Sequence, residues 1–320
     1  MPLYAPPDEH LWAVVLAGGE GERMKPLVER WLGCHRPKQY CAFVGSRSMF
    51  QHTVDRALAL TSPERIVAVA GSTHREHVDA QLRGRGLGRV IYQPANRDTA
   101  AGIFLPATYV AARDPEATIV VLPSDHFVCP EERVIEAMRD AARAARATPG
   151  HLVLLGVPPD RLELEYGWVE RGRSPVLLNG VRVFPVRSFL EKPAKQKAQA
   201  AWRGGALWNT LVFAARLDRL WALGHRCLPS LMSLFERLRE AIGTVQEEQV
   251  LDMIYQTMPA RNISFDVLQR ATEDLAVLEL NGVLWSDWGR PERVTEALRK
   301  IGRVPAFPEE CLSVGGVCHG

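Results

Sequence analysis

The sequence has no excess of either charge: 39 lysines and arginines stand against 37 acids, a net charge of +2 at pH 7. That balance excludes the strongly basic face of a nucleic-acid binder. No apolar run approaches the roughly 20 residues that span a bilayer, and Met1–His10 lacks the basic and apolar regions of a signal peptide. A cytoplasmic protein with no membrane partner is expected. The six cysteines, at 34, 41, 129, 227, 311 and 318, include no Cys-x-x-Cys pair, as expected of reduced thiols. Cys318-His319 has no second pair to complete a metal set, and His74-x-x-His77 falls on a polar-faced helix. No repeat is visible, so no repeat-built extension such as a β-helix is expected at the C-terminus.

What the chain does have is 320 residues, 47% of them hydrophobic, enough for a large core. The apolar run Leu11–Ala17 reads as a strand buried on both faces, and glycines follow at 18, 19 and 21. A loop without Cβ atoms lets backbone N–H groups converge on an anion, and Arg23 and Lys38 add full positive charges beside it. No Gly-Lys-Ser/Thr ends the loop, so it is not a P-loop. Met24 stands where a dinucleotide fingerprint needs its third glycine. By itself a Gly-Gly-x-Gly turn after a strand is equally an ordinary tight turn.

Apolar spacing predicts a helix over 49–58, a strand over 65–70, a helix over 74–82, a strand over 90–92, a helix over 99–112 and a strand over 118–122. Such alternation implies right-handed crossovers and a mostly parallel, mixed sheet flanked by helices. Ligands in such sheets gather at the carboxyl ends of the strands. Gly18, Gln93 and Asp125 each follow a predicted strand, so all three are expected on one rim. After Leu152–Val157 comes a turn-rich stretch to about 195, then helices near 195–203, 216–223, 230–242 and 247–258. Strands at 275–280 and 282–285 and a closing helix over 291–301 follow. Asp125 in Pro123-Ser-Asp-His126 and Asp287 in Trp285-Ser-Asp-Trp-Gly289 are read as two carboxylates at neighbouring strand ends, suited to Mg²⁺. A turn or helix-cap role is the alternative for Asp125.

Leu16-Ala-Gly-Gly-x-Gly-x-Arg23-x-x-Pro-Leu27, with Pro37-Lys38-Gln39, resembles the signature of sugar-1-phosphate nucleotidyltransferases, and within them that of the mannose-1-phosphate guanylyltransferases (GDP-mannose pyrophosphorylases). The likeness continues to Asp287. It implies a Rossmann-like, GT-A-like nucleotidyltransferase fold with no C-terminal β-helix. One domain is expected over 1–302, with a nucleotide half at about 11–150, a sugar-phosphate half at about 151–275 and a closing strand and helix at 276–302; 303–320 is a tail.

The resemblance implies catalytic roles for Arg23, Lys38, Asp125 and Asp287, the two aspartates holding Mg²⁺. It implies a nucleotide site of Leu16, Ala17, Gly18, Gly19, Gly21, Gln93, Asn96, Asp98, Thr99 and Ser124, and a sugar-phosphate site of Gly167, Glu191, Lys192 and Asn209. Ser264-Phe-Asp266 is expected to support the sugar site. Three departures stand out: Asp98 for the usual asparagine, Leu211 for a glycine, and Glu22 for a threonine before Arg23. The partners implied are a nucleoside triphosphate, GTP first, and a sugar-1-phosphate, mannose-1-phosphate first. Another base or sugar, and a silent nucleotide-sugar-binding regulatory relative, remain as alternatives. The Trp202, Trp208 and Trp221 region is read as core, with a homodimer face as the alternative.

Overall fold

The computed structural model describes residues 8–147 and 150–312. Cys318-His319, residues 1–7 and residues 313–320 of the expected tail lie outside them. Twelve strands are seen among the described residues. The first six are β1 (Leu11–Ala17), β2 (Ile66–Gly71), β3 (Arg89–Gln93), β4 (Thr118–Pro123), β5 (Phe127–Cys129) and β6 (Leu152–Val157). The rest are β7 (Gly167–Arg171), β8 (Val176–Leu178), β9 (Val181–Glu191), β10 (Leu207–Arg216), β11 (Leu275–Glu279) and β12 (Leu284–Ser286).

Ten of these form one mixed sheet in the order β3-β2-β1-β4-β10-β6-β11-β9-β7, with β8 on β9. The wing β3-β2-β1-β4 is parallel. β10 enters antiparallel between β4 and β6, and β11 is parallel to β6. Only β9 and β10 oppose the common direction among the described strands of this sheet. β7 also bonds back to β10, so β10, β6, β11, β9 and β7 close into a ring.

The burial of each strand follows from its composition. β2, β4 and β6 are buried along their whole length, as apolar strands covered by helices on both faces must be. The helix Asp98–Arg113 covers one face and Glu131–Ala147 the other, giving two cores either side of the sheet. The stretch expected to be turn-rich holds β7, β8 and β9. In β9 exposed Arg182, Pro185 and Arg187 interrupt the buried positions, and a one-faced strand of this kind is easily mistaken for loop. The helix Glu131–Ala147 and β5 have no counterpart in the sequence reading.

Within β6, a Cβ on Gly156 would fall 2.8 Å from Leu207 Cδ1 and 2.9 Å from Val277 Cγ2. Gly156→Ala is therefore expected to cost about 1–3 kcal/mol of stability through overpacking. Urea unfolding measures it, and an unchanged midpoint would show that the ring has slack there.

Trp208 is in one core and Trp221 packs against the other, whereas Trp202 is 40% exposed, so that part of the core expectation fails. After residue 302 the chain continues onto the body, with Phe307 and Cys311 buried beside Trp31 and Phe43. Among the described residues, Cys34, Cys41, Cys129 and Cys227 form no disulfide. Among the described residues, no helix is long and apolar enough to cross a membrane.

Candidate active site

The loop after β1 is built from below. Gln39 donates its side-chain amide to the carbonyls of Ala17 (3.1 Å) and Gly19 (2.7 Å), and the Tyr40 hydroxyl donates to Ala17 (2.9 Å). With those carbonyls occupied, the N–H side of the loop is what remains for an anion. Gly21 has φ 67°, and a Cβ there would meet the Lys38 backbone nitrogen at 2.9 Å. The loop thus lies directly on the Pro37-Lys38 segment, and only glycine permits that approach. Gln39 and Tyr40 were given no role in the sequence reading, although Gln39 is part of the motif.

Beside this loop opens a cleft of about 510 Å³. Of the expected nucleotide residues, Leu16, Gly18, Gly19, Gln93, Asn96, Asp98 and Thr99 line it. A Cβ on Gly18 would strike Gln93 Nε2 at 2.3 Å, whereas one on Gly19 would meet open space. Ala17 and Ser124 lie under the wall: the Ser124 hydroxyl donates to the Leu16 carbonyl at 2.6 Å and ties β4 to β1. Asp98 has φ 64°, a conformation that asparagine and aspartate tolerate best among residues with a Cβ, so the exchange of one for the other leaves the backbone possible.

Asp125 and Asp287 do meet, but not as ends of one sheet. β12 lies outside the main sheet and pairs antiparallel with β5, Ser286 opposite Phe127. That register sets Asp287, one residue after β12, against Asp125 and His126, which precede β5. The buried Lys38 ammonium sits between them, 3.0 Å from Asp125 Oδ2 and hydrogen-bonded to the Asp287 carbonyl. Burial works against ionising either carboxyl. Lys38 and His126 together outweigh it at Asp125, and Lys38, Arg293 and the Gly289 N–H together outweigh it at Asp287, so both are held below the usual aspartate range. Asp287 Oδ1 accepts from Arg293 Nη1 (2.8 Å), the Tyr166 hydroxyl (2.9 Å) and Gly289 N (2.9 Å). Its Oδ2 has Arg23 Nη2 at 3.4 Å.

These acids suit a hard cation on their donor chemistry. Asp287 Oδ2 and Asp125 Oδ1 have only long contacts, 3.4 Å from Arg23 and 3.6 Å from His126, and two carboxylate oxygens match Mg²⁺, which takes most of its shell from water and phosphate. No group of three or more His, Cys, Asp or Glu forms a metal cage among the described residues.

Gly167, Glu191 and Asn209 converge where β7 joins β9 and β10. A Cβ on Gly167 would lie 2.8 Å from Glu191 Oε2 and 3.3 Å from Asn209 Cβ. Glu191 is half-buried, not a solvated partner of the exposed Lys192. Burial, with Asp98 adding to it, pushes the Glu191 carboxyl above its ordinary value against the opposing pull of Lys192. The segment 260–269 bridges this corner and the cleft: Asn262 Nδ2 donates to Asp98 Oδ1 (3.1 Å), Ile263 N to Thr99 Oγ1 (2.9 Å), and Glu191 N to Gln269 Oε1 (3.0 Å). Ser264 and Asp266 lie in that segment, where Asp266 Oδ2 accepts from Asn262 N at 2.9 Å. Leu211 occupies a β-bulge with φ 57° and packs against the core. Its cost is therefore backbone strain of about 1–2 kcal/mol, and it is not among the residues lining the cleft.

The nucleotidyl transferase family model matches residues 12–303. The chain belongs to that family. Its nucleotidyl transferase relatives include the mannose-1-phosphate guanylyltransferase of Escherichia coli K12, 31% identical over 97% of this chain and 62% of that protein. The alginate biosynthesis protein AlgA of Pseudomonas fluorescens is 30% identical over 86% of this chain and 56% of its own length. The chain thus spans less than two thirds of these relatives. A Thermus thermophilus crystal structure, described as a mannose-1-phosphate geranyltransferase, superposes with a TM-score of 0.74 at 30% identity, over 88% of this chain and 76% of that one.

Proposed function

We propose that the protein transfers a nucleotidyl group from a nucleoside triphosphate, GTP in the first instance, to a sugar-1-phosphate, mannose-1-phosphate in the first instance. The products are GDP-mannose and pyrophosphate. The observation that carries this reading is Lys38 held between Asp125 and Asp287 and packed under Gly21 of the glycine loop, whose Gly18 and Gly19 line the cleft. The names of the relatives supply the base and the sugar.

An oxygen of the sugar phosphate attacks the α-phosphorus, the bond from that phosphorus to the bridging oxygen breaks, and pyrophosphate leaves with the electron pair. Such a transfer needs alignment and charge stabilisation rather than a protein nucleophile. The β1 loop holds the triphosphate through its N–H groups. Lys38 stabilises charge on the transferred group, and Arg23, 54% exposed at its side chain and paired with Glu165 at 3.2 Å, meets the departing pyrophosphate. Mg²⁺ bound by Asp125 and Asp287 would neutralise charge on both phosphorylated substrates. Gln93 supports a base contact, because its buried carboxamide oxygen has no partner among the described residues while the residue lines the cleft. A donor on the base satisfies it.

Glu191 accepts the sugar hydroxyls as a carboxylate. A raised carboxyl loses its charge early as pH falls. The acid limb of kcat/KM for the sugar phosphate is therefore expected above the ordinary glutamate value of about 4.3. Glu191→Gln should abolish that limb; the same limb in the variant would remove Glu191 from the sugar site.

A panel of nucleoside triphosphates crossed with sugar-1-phosphates, read by pyrophosphate release, tests the reading. Fastest turnover with GTP and mannose-1-phosphate supports it. Preference for another pair, which Asp98 and Leu211 leave open, keeps the chemistry and changes the substrates. Silence across the whole panel would leave a nucleotide-sugar-binding relative without activity.

A further inference from the structure

We infer that Arg293 is a positioning residue, which aims Asp287 so that a single carboxylate oxygen faces the bound cation; this rests on the nucleotidyl transfer proposed above. Arg293 lies on the closing helix Pro291–Lys300 and is 7% exposed. Its Nη1 donates to Asp287 Oδ1 at 2.8 Å, while Nη2 donates to Glu163 Oε2 and Glu165 Oε2, both at 2.7 Å. The guanidinium carbon stands 4.8 Å from the centre of the Tyr166 ring, and the Tyr166 hydroxyl donates to the same Asp287 oxygen.

A carboxylate oxygen with three donors on it has no lone pair to spare. Oδ1 therefore belongs to the protein and Oδ2, with only a 3.4 Å contact from Arg23, is the oxygen left for a metal. The planar fork of arginine is what makes this possible, since it serves Asp287 on one nitrogen and two glutamates on the other without turning. Glu163 and Glu165 in turn fix the guanidinium, so the aim of Asp287 is set from the far side of the site by the segment before β7. Arg290 also reaches Glu165 but makes no contact with Asp287 among those seen, and serves as the internal control.

The test compares wild type, Arg293→Lys, Tyr166→Phe and Arg290→Gln. Mn²⁺ binding is followed by electron paramagnetic resonance in the presence of GTP, alongside kcat and KM for mannose-1-phosphate. Loss of a group that orients a metal ligand is expected to weaken Mn²⁺ binding about 10–100-fold in Arg293→Lys, and less in Tyr166→Phe. kcat falls with it while KM for the sugar phosphate stays. Arg290→Gln binds Mn²⁺ as wild type does. Mn²⁺ affinity within twofold of wild type in a folded Arg293→Lys overturns the inference, as does an equal loss in Arg290→Gln, which would show a general effect of charge. Should Arg293→Lys not fold, Tyr166→Phe decides alone, since it deletes one hydrogen bond and no charge; unchanged Mn²⁺ affinity there overturns the inference. A wild type that releases no pyrophosphate from any substrate pair would instead count against the proposed function.

Discussion

Asp287→Asn is expected to lower the rate of pyrophosphate release by about a thousandfold, the upper end for loss of one electrostatic contact to a transition state. The substitution changes charge and hardly changes shape. Its amide oxygen can still accept from Arg293 and Tyr166, and Arg293 keeps Glu163 and Glu165. The variant should therefore fold. It should also melt lower than wild type at neutral pH, because the native state holds the Asp287 carboxyl below its ordinary value and that favourable interaction goes with the charge. For an acid depressed in the folded state, the stabilisation is present above the unfolded value of about 3.9 and fades as pH falls below it. The gap in melting temperature between wild type and variant should accordingly stay constant down to about that value and begin to narrow below it. Single-turnover assays and melting curves from pH 7 to 3 measure both. A rate within tenfold of wild type would take the cation away from Asp287.

Lys38→Ala is expected to cost about 3 kcal/mol of transition-state stabilisation, roughly a hundredfold in kcat. The reasoning is electrostatic. Lys38 is 6% exposed, touches both acidic segments, and is the leading cation lowering the carboxyl of each aspartate. Its removal withdraws charge from the reacting phosphate and leaves two carboxylates with less to separate them. The effect should appear in kcat for saturating GTP and mannose-1-phosphate. A fall of only a few-fold would mean that Lys38 is a structural tie between the β1 loop and the Asp287 turn.

The parts of the site carried by a continuous stretch were legible. β1 and its glycine loop are a buried apolar run followed by residues without Cβ, and Lys38 sits in the segment beneath that loop. Asp125 was visible as a carboxylate after an apolar strand. The way it meets Asp287 was not, because β5 and β12 are three residues each, too short to show a period, and their pairing joins segments more than 150 residues apart. Arg293 had no signal of its own among the arginines of a polar helix. β7, β8 and β9 were likewise hidden, since they are partly exposed and carry a mixed pattern.

The order of the chain alone determined that apolar strands would alternate with helices and that a cationic glycine loop would follow the first of them, since both depend on the chemistry of neighbouring residues. Only the folded molecule decided which oxygen of Asp287 is spent on three donors and which keeps a 3.4 Å contact from Arg23. That choice rests on Tyr166 and Arg293, and through Arg293 on Glu163; separations of 121 residues from Tyr166 to Asp287 and 130 from Glu163 to Arg293 carry no local pattern. They become neighbours because β12 pairs with β5 outside the main sheet and brings Asp287 and the closing helix against the segment before β7, which holds Glu163 and Tyr166.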